Sequence, residues 1–88
     1  MVGGRKHLVS DLLRSKHYDA LRAILVKARK DAKLTQTQLA AKIGRSQSFV
    51  SDLETGVRYL DVIEFIPLTR ALGLDPAEVM RTLAKVRG

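Results

Sequence analysis

The sequence predicts an all-α fold, a single domain of five helices, and three observations support this prediction. Apolar residues recur at spacings of three and four, and no segment alternates apolar and polar residues as a half-buried strand does. A residue that can cap a helix precedes every predicted helix, and glycine follows three of them. The length of 88 residues suits one domain. The predicted helices span residues 16–32, 36–43, 47–54, 62–72 and 76–86.

The first predicted helix carries a regular apolar stripe. Its members recur at the spacing of one helix face and are Tyr18, Leu21, Leu25, Ala28 and Ala32. Ser15 is its expected N-cap, because a serine oxygen can accept from the free amides of the first turn. Residues 1–14 precede it as a basic N-terminal arm that we expect to be partly disordered, and residues 15–88 form the predicted domain.

The second and third predicted helices are short and are separated by three residues. Thr35 and Gln38 have the spacing of a capping box, and Ser46 is the expected cap of the later helix. Gly44 ends the earlier one, because glycine readily enters the left-handed conformation that closes a helix. So short a connection predicts two helices that cross sharply, as in a helix-turn-helix.

The last two predicted helices have equally clear starts. Asp61 with Glu64 and Asp75 with Glu78 both repeat the spacing of a capping box, in which the third side chain can reach back to the cap. Asp75 precedes Pro76, which suits the first position of a helix because its missing amide hydrogen costs nothing there. Pro67 lies inside the fourth helix and removes a backbone hydrogen bond, so we expect a kink or a distorted first turn.

The composition argues against several classes of function. The chain has no cysteine, which excludes disulfides, thiol catalysis and cysteine-ligated metal. His7 and His17 lie ten residues apart without clustered ligands, so we expect no metal site and no cofactor. No serine can be paired with a histidine and an acid, so we expect no enzyme. No apolar run approaches the roughly 20 residues of a membrane span, which favours a cytoplasmic protein that does not enter a membrane.

The net charge of +7 is concentrated in the first part of the chain. Residues 1–33 hold nine lysines and arginines against three acids, whereas residues 61–88 hold four against four. A basic chain favours a polyanionic partner. A merely solubilising surface explains such a charge equally well, and a membrane-surface binder that uses residues 5–33 is a weaker alternative.

The exposed face of the third predicted helix carries only short polar groups. At 3.6 residues per turn, Ser48, Ser51 and Asp52 lie opposite its apolar side, and Gln47 lies at its N-terminal tip. Short side chains let a helix approach base edges in the major groove, where glutamine can pair with adenine and serine can bond to any base. Gln36 begins the preceding helix, where the helix dipole favours phosphate. The pattern predicts DNA recognition, although similar helix pairs occur in many helical bundles.

Asp52 is the unusual member of this face, because a carboxylate is repelled by phosphates. Two roles would offset that repulsion. Asp52 could accept a hydrogen bond from cytosine N4, or it could pair with Arg45 or Arg58 and hold that cation near the backbone. A solvated side chain with no role in binding is the remaining alternative. We favour base reading, or discrimination against other sequences, because aspartate is short and faces the groove.

The stretch LTQTQLAAKIGRSQSFVSDLETG, residues 34–56, resembles the core of the phage-repressor (XRE, Cro-like) helix-turn-helix family. The family pattern reads L-T/S-Q-x-x-L-A-x-x-h-G-x-S-x-x-x-h-S-x-h-E-x-G, with h apolar. The matching residues are Leu34, Thr35, Gln36, Leu39, Ala40, Ile43, Gly44, Ser46, Val50, Ser51, Leu53, Glu54 and Gly56. RYLDVIEF and ALGLDPAEV also resemble the family's fourth and fifth helices, so the similarity covers residues 16–84.

This resemblance implies a lambda-repressor-like domain that binds double-stranded operator DNA and regulates transcription, as a repressor does. The base-reading residues that it implies are Gln47, Ser48, Ser51 and Asp52. The residues implied to contact the DNA backbone are Gln36, Thr55 and Arg58, to which we add Arg45 at a turn position that is more often apolar. Glu54 occupies a motif position that is more often structural.

The family usually binds DNA as a two-fold dimer, and we expect a homodimer through the C-terminal helix. That helix is more apolar than a last surface helix needs, through Val79, Met80, Leu83 and Val86. The alternative function is a protein-interaction module with the same fold, such as the antitoxin of a toxin pair. For Tyr18 and Phe49, packing is a better interpretation than stacking on bases.

Overall fold

The computed structural model describes residues 14–87, and within them it contains five α-helices and no strand. The helices are Lys16–Asp31 (α1), Gln36–Ile43 (α2), Gln47–Thr55 (α3), Val62–Ala71 (α4) and Pro76–Ala84 (α5). The all-α prediction is therefore confirmed, and every predicted helix is present. The predicted basic arm, 1–14, lies outside the described residues except for Arg14, so its division from the domain stays a prediction.

Two capping boxes form as the sequence predicts. In α2 the Thr35 hydroxyl accepts from the Gln38 amide at 3.0 Å, and the Thr35 amide donates to Gln38 Oε1 at 2.9 Å. In α4 Asp61 and Glu64 make the same reciprocal pair, at 2.8 and 3.2 Å. The starts of α2 and α4 are thus fixed by their own side chains.

The start of α5 is capped differently. The Asp75 carboxylate accepts from the Ala77 amide at 2.9 Å, and Pro76 takes the first helical position. Glu78 does not reach back to the cap but accepts from Arg81 Nε, at 2.9 Å. α4 continues as an α-helix past Pro67 to Ala71.

Three helices end earlier than the sequence pattern indicates: α4 ends one residue early, at Ala71, and α1 and α5 end early for separate reasons, whereas α3 ends one residue late, at Thr55. α1 ends at Asp31 because Lys33 takes a left-handed conformation, with φ 59°, where the ends of α2, α3 and α4 have glycine. α5 ends at Ala84, and the next two amides bond only three residues back, which tightens the last turn. These differences are of the size expected where helix ends fray or tighten.

The core lies where α2 and α3 meet, with α1 and α4 packed around them. Its buried members are Leu25, Leu39, Ala40, Phe49, Val50, Leu53, Leu68 and Leu72. α2 and α3 have only eight and nine residues, too few to be stable as isolated helices in water. Their helical form therefore depends on this packing, in which each fully buried leucine or valine contributes about 1.5–3 kcal/mol. Within residues 14–87, no helix is both long enough and apolar enough to span a membrane.

Candidate nucleic-acid interface

The turn between α2 and α3 is held by its own backbone. Gly44 has φ 68°, and its amide bonds back to the carbonyls of α2. The next amide, of Arg45, donates to Ala40 O at 2.9 Å. Ser46 then caps α3 by accepting from the Phe49 amide at 3.2 Å. These bonds place the first turn of α3 against the buried side of α2, which is helix-turn-helix geometry.

One side of α3 is buried and the other is open to solvent. Phe49, Val50 and Leu53 face the core. The predicted base-reading residues lie on the opposite side, where Gln47 and Ser48 are exposed and Ser51 and Asp52 are half-buried. Exposed Thr55 continues this face, and its hydroxyl donates to Ser51 O at 2.9 Å. The structure thus brings the four predicted base-reading residues and Thr55 together on one accessible helix face.

One flank of this face is occupied by an ion pair between α1 and α3. Arg29 Nε donates to Glu54 Oε2 at 2.7 Å, and Arg29 Nη2 donates to Glu54 Oε1 at 3.0 Å. The two side chains are only 12% and 11% exposed. Arg29 Nη1 also donates to Leu34 O at 2.8 Å, and the hydrogen bonds that Arg29 donates to the Glu54 carboxylate raise the pKa of Arg29 above its usual value. The pair is therefore charged, bidentate and largely removed from water.

Two glutamines extend this ion pair to the surface. Gln36 Nε2 donates to Glu54 Oε1 at 2.9 Å, and Gln47 Nε2 donates to Gln36 Oε1 at 2.7 Å. The four residues form a continuous chain of hydrogen bonds, here called the Glu54 network, which consists of Arg29, Glu54, Gln36 and Gln47. The exposed Gln47 at the tip of α3 is thereby held in place from the interior.

The opposite flank of α3 carries two arginines around an aromatic ring. The guanidinium carbons of Arg45 and Arg58 lie 3.9 and 4.5 Å from the centre of the Phe49 ring. Both arginines also bind the same atom, Glu64 Oε2, Arg45 through Nη1 at 3.2 Å and Arg58 through Nη2. We call these four residues, Arg45, Phe49, Arg58 and Glu64, the Phe49 cluster.

Asp52 takes no part in either assembly. Among the described residues, no hydrogen bond or ion pair involves its carboxylate, although its backbone carbonyl accepts from the amides of Val57 and Arg58. The pairing of Asp52 with Arg45 or Arg58, considered from sequence, is not formed because Glu64 holds both guanidinium groups. The half-buried Asp52 carboxylate is left on the exposed face of α3.

The two aromatic residues both pack within the protein. Phe49 is buried in the core. Tyr18 is half-buried, and its hydroxyl accepts from the Leu60 amide in the segment between α3 and α4. Burial raises the pKa of the Tyr18 phenol above its usual value. Packing, rather than an exposed stacking surface, describes the position of both rings.

Sequence reasoning missed two residues of this interface. Arg29 is one of several cations near the end of α1, but it lies four residues after Leu25 and so at the edge of the buried stripe. An arginine at that position is a candidate for a buried ion pair. Glu64 was interpreted only as a capping residue, and no sequence pattern indicates that its second oxygen faces the arginines of two loops.

Comparison with known proteins identifies the family. A helix-turn-helix family model matches residues 25–79, which covers α2, α3 and α4 completely. The structure is similar to that of an XRE-family like protein from Pseudomonas syringae pv. tomato str. DC3000, with 43% identity and a TM-score of 0.77 over 85% of this chain and 92% of that one. No curated protein sequence matches the chain.

A second similar structure is that of the clp gene regulator ClgR from Corynebacterium glutamicum. One crystal structure has 28% identity and a TM-score of 0.69, and covers 80% of this chain and 91% of that one. Another has the same identity, a TM-score of 0.70 and coverage of 80% and 74%. The family model matches most of this chain, and the chain is 43% identical to an XRE-family like protein. The chain therefore belongs to the XRE family of helix-turn-helix DNA-binding transcriptional regulators.

Proposed function

We propose that the protein binds double-stranded DNA in a sequence-specific manner, with α3 in the major groove. The observation that carries this proposal is the exposed polar face of α3, supported on one flank by the Glu54 network and on the other by the Phe49 cluster. A helix held at both flanks can present side chains to base edges in one fixed register. Such preorganisation lowers the conformational cost of binding.

Base reading is assigned to Gln47, Ser48, Ser51 and Asp52. Gln47 has the amide that can pair with adenine N6 and N7, and its place in the Glu54 network fixes the direction of that amide. The serine hydroxyls can bond to any base, and the Asp52 carboxylate can accept from cytosine N4. Gln47 and Ser48 would thus read bases with an amide and a hydroxyl, whereas Asp52 would read them with a carboxylate.

Contacts to the DNA backbone are assigned to Gln36, Arg45, Thr55 and Arg58. Gln36 is the first residue of α2, where the free amides and the positive end of the helix dipole favour a phosphate. Arg45 and Arg58 are 41% and 39% exposed, so their guanidinium groups remain open to solvent and to a phosphate. These contacts fix the register of the protein on DNA without reading sequence.

We also propose that the protein acts as a homodimer through α5. Met80 is exposed on this helix, while Val79 is buried and Leu83 and Val86 are half-buried. A two-fold dimer would place half-site centres about 34–36 Å apart, one turn of DNA. Sedimentation of the protein on its tightest site should therefore show two protomers.

Two matched variants locate the dimer contact. Met80→Glu should reduce two-protomer binding, because it places a charge in the proposed contact. Ile63→Glu is the comparison, since Ile63 lies outside α5, among exposed apolar residues of the segment after α3 and the start of α4, which also include Val57, Tyr59 and Val62. If Ile63→Glu separates the protomers and Met80→Glu does not, the contact lies at that group and not on α5.

Selection of bound sequences from random duplex DNA tests the proposed function as a whole. We expect enrichment of a symmetric repeat, because two copies of α3 would read the same half-site in opposite directions. Folded protein that enriches no sequence, or that binds single protomers to an asymmetric site, would contradict sequence-specific dimeric binding.

A further inference from the structure

The Phe49 cluster places two cations against each other on one flank of α3. Arg45 lies in the turn before α3 and Arg58 in the segment after it, yet both reach the Phe49 ring and the same oxygen of Glu64. Two guanidinium groups this close repel each other. The ring face and the carboxylate are what hold them together, since each attracts a cation.

The side chain of Glu64 is also held by the cap of α4, through the oxygen that the arginines do not bind. Its Oε1 accepts from the Asp61 amide at 3.2 Å, and its backbone amide donates to the Asp61 carboxylate at 2.8 Å. The side chain is 13% exposed, far less than either arginine. The start of α4 therefore determines where the carboxylate lies, and the arginines take their positions from it.

The cluster is left with an excess of positive charge. One carboxylate balances two guanidinium groups, and Arg58 Nε is buried without a hydrogen-bond partner among the described residues. A phosphate would supply the missing charge, and its oxygens would accept from the exposed guanidinium nitrogens of Arg45 and Arg58. The accessible guanidinium edges lie beside the polar face of α3, on the flank opposite the Glu54 network.

We propose that Glu64 is a positioning residue that holds Arg45 and Arg58 as one phosphate-binding unit beside the recognition helix. This inference rests on the proposed function, in which the two arginines meet the DNA backbone. Glu64 does not touch DNA in this proposal. Its negative charge, which taken alone repels DNA, increases affinity because it prevents the two arginines from separating before binding.

Glu64→Gln tests the proposal because two explanations predict opposite signs. Glutamine retains the capping box with Asp61, so α4 should still form. If Glu64 positions the arginines, the variant should bind every duplex more weakly, and its salt dependence should be less steep by roughly one unit per protomer. If Glu64 only neutralises charge, the variant should bind more tightly with a steeper salt dependence, and that result would overturn the proposal.

Asp31→Asn is the matched control. It removes the same charge from an exposed residue of α1 that is paired with Lys27, outside the Phe49 cluster. Its binding should be unchanged or slightly tighter. Equal weakening by Asp31→Asn and Glu64→Gln would point to a general effect of charge or folding, and would also overturn the proposal.

One further measurement does not depend on Glu64→Gln folding well, and another uses that variant in a double-mutant cycle. Arg45→Lys keeps the charge but loses the planar fork that both lies over the ring and binds the carboxylate, so duplex affinity should fall. Unchanged affinity would contradict the proposed unit. In a double-mutant cycle, Arg58→Ala should cost less in the Glu64→Gln background than in the wild type, because the positioned pair is already lost.

The failure of this inference can be distinguished from failure of the proposed function. If Arg45→Ala and Arg58→Ala weaken duplex binding while Glu64→Gln does not, the backbone contacts stand and the positioning role of Glu64 is wrong. If neither alanine variant changes binding by folded protein, the arginines do not meet DNA. The backbone contacts and the inference then fail together.

Discussion

The two flanks of α3 are built from the same kinds of group but differ in balance. On one flank, the single charges of Arg29 and Glu54 balance each other, and Gln36 donates to Glu54 and accepts from Gln47. On the other flank, two arginines share one carboxylate and keep open sides. The first pair is about 12% and 11% exposed, whereas the arginines of the second are 41% and 39% exposed.

The difference in charge balance and exposure distinguishes the Arg29–Glu54 pair, which stabilises the fold, from the two arginines on Glu64, which are available for a ligand. A buried charge that is paired and hydrogen-bonded cannot lose its partner without large cost. An exposed, incompletely neutralised pair contributes little to stability, because water screens it, but it can bind an anion. We therefore expect changes in the Arg29–Glu54 pair to alter stability, and changes in Arg45 or Arg58 to alter DNA affinity.

The largest expected effect follows removal of Arg29. Arg29→Met should reduce the free energy of unfolding by about 3–5 kcal/mol, because the Glu54 carboxylate, largely removed from water, is left without its cation. A small domain has a total stability of about 5–15 kcal/mol, so much of it would be lost. Urea denaturation followed by circular dichroism measures the change.

Lys27→Met is the control on the same helix. Lys27 and Asp31 also form an ion pair, at 2.7 Å, but their side chains are 77% and 65% exposed. Removing that pair should change stability by less than about 0.5 kcal/mol, as for other exposed helix pairs. If both substitutions cost the same amount, the burial of the Glu54 network does not determine its contribution.

The next effect concerns DNA selectivity. Gln47→Ala should weaken binding to the selected site by about 1–3 kcal/mol and relax one position of that site, because a base-pairing amide is lost. Gln36→Ala should produce part of the same relaxation, since Gln36 orients the Gln47 amide. Competition between the selected site and its single-base variants measures both. Unchanged selectivity in Gln47→Ala would show that α3 is placed wrongly on DNA.

The helices could be predicted from sequence more completely than the two flanks. Capping pairs such as Thr35 with Gln38 lie close in sequence, so their spacing predicts the contact. Arg29 and Glu54 are 25 residues apart, and their pairing appears only once α1 and α3 are packed. The same holds for Glu64, whose local role in the cap was predicted and whose contact with the arginines was not.

A smaller effect on stability is expected at the contact between α1 and the segment that joins α3 and α4. Tyr18→Phe removes the acceptor of the Leu60 amide, which should cost about 0.5–1.5 kcal/mol. The raised pKa of Tyr18 means that its contribution to stability is complete below the unfolded value, about pH 10, and is lost as pH rises through the folded pKa. The alkaline loss of stability should therefore be smaller in the variant.

Tyr59→Phe provides the control for that measurement, because it removes a phenol from an exposed side chain of the same segment. It should leave the free energy of unfolding near neutral pH unchanged. Equal losses in the two variants would mean that the bond to Leu60 does not stabilise the segment.

The smallest expected effect distinguishes the exposed face of α3 from the cluster beside it. Asp52 has no cation partner among the described residues, since Glu64 holds both nearby arginines. Asp52→Asn should therefore leave the arginines in place and remove only a repelled charge, so binding to scrambled duplex should tighten by a few-fold. The selected site should gain less, because the carboxylate that accepts from cytosine is also lost. Titrating both duplexes at two salt concentrations measures the difference in affinity between the selected site and scrambled duplex. Equal tightening on both would leave simple repulsion as the role of Asp52, and no change on either would place it outside the interface.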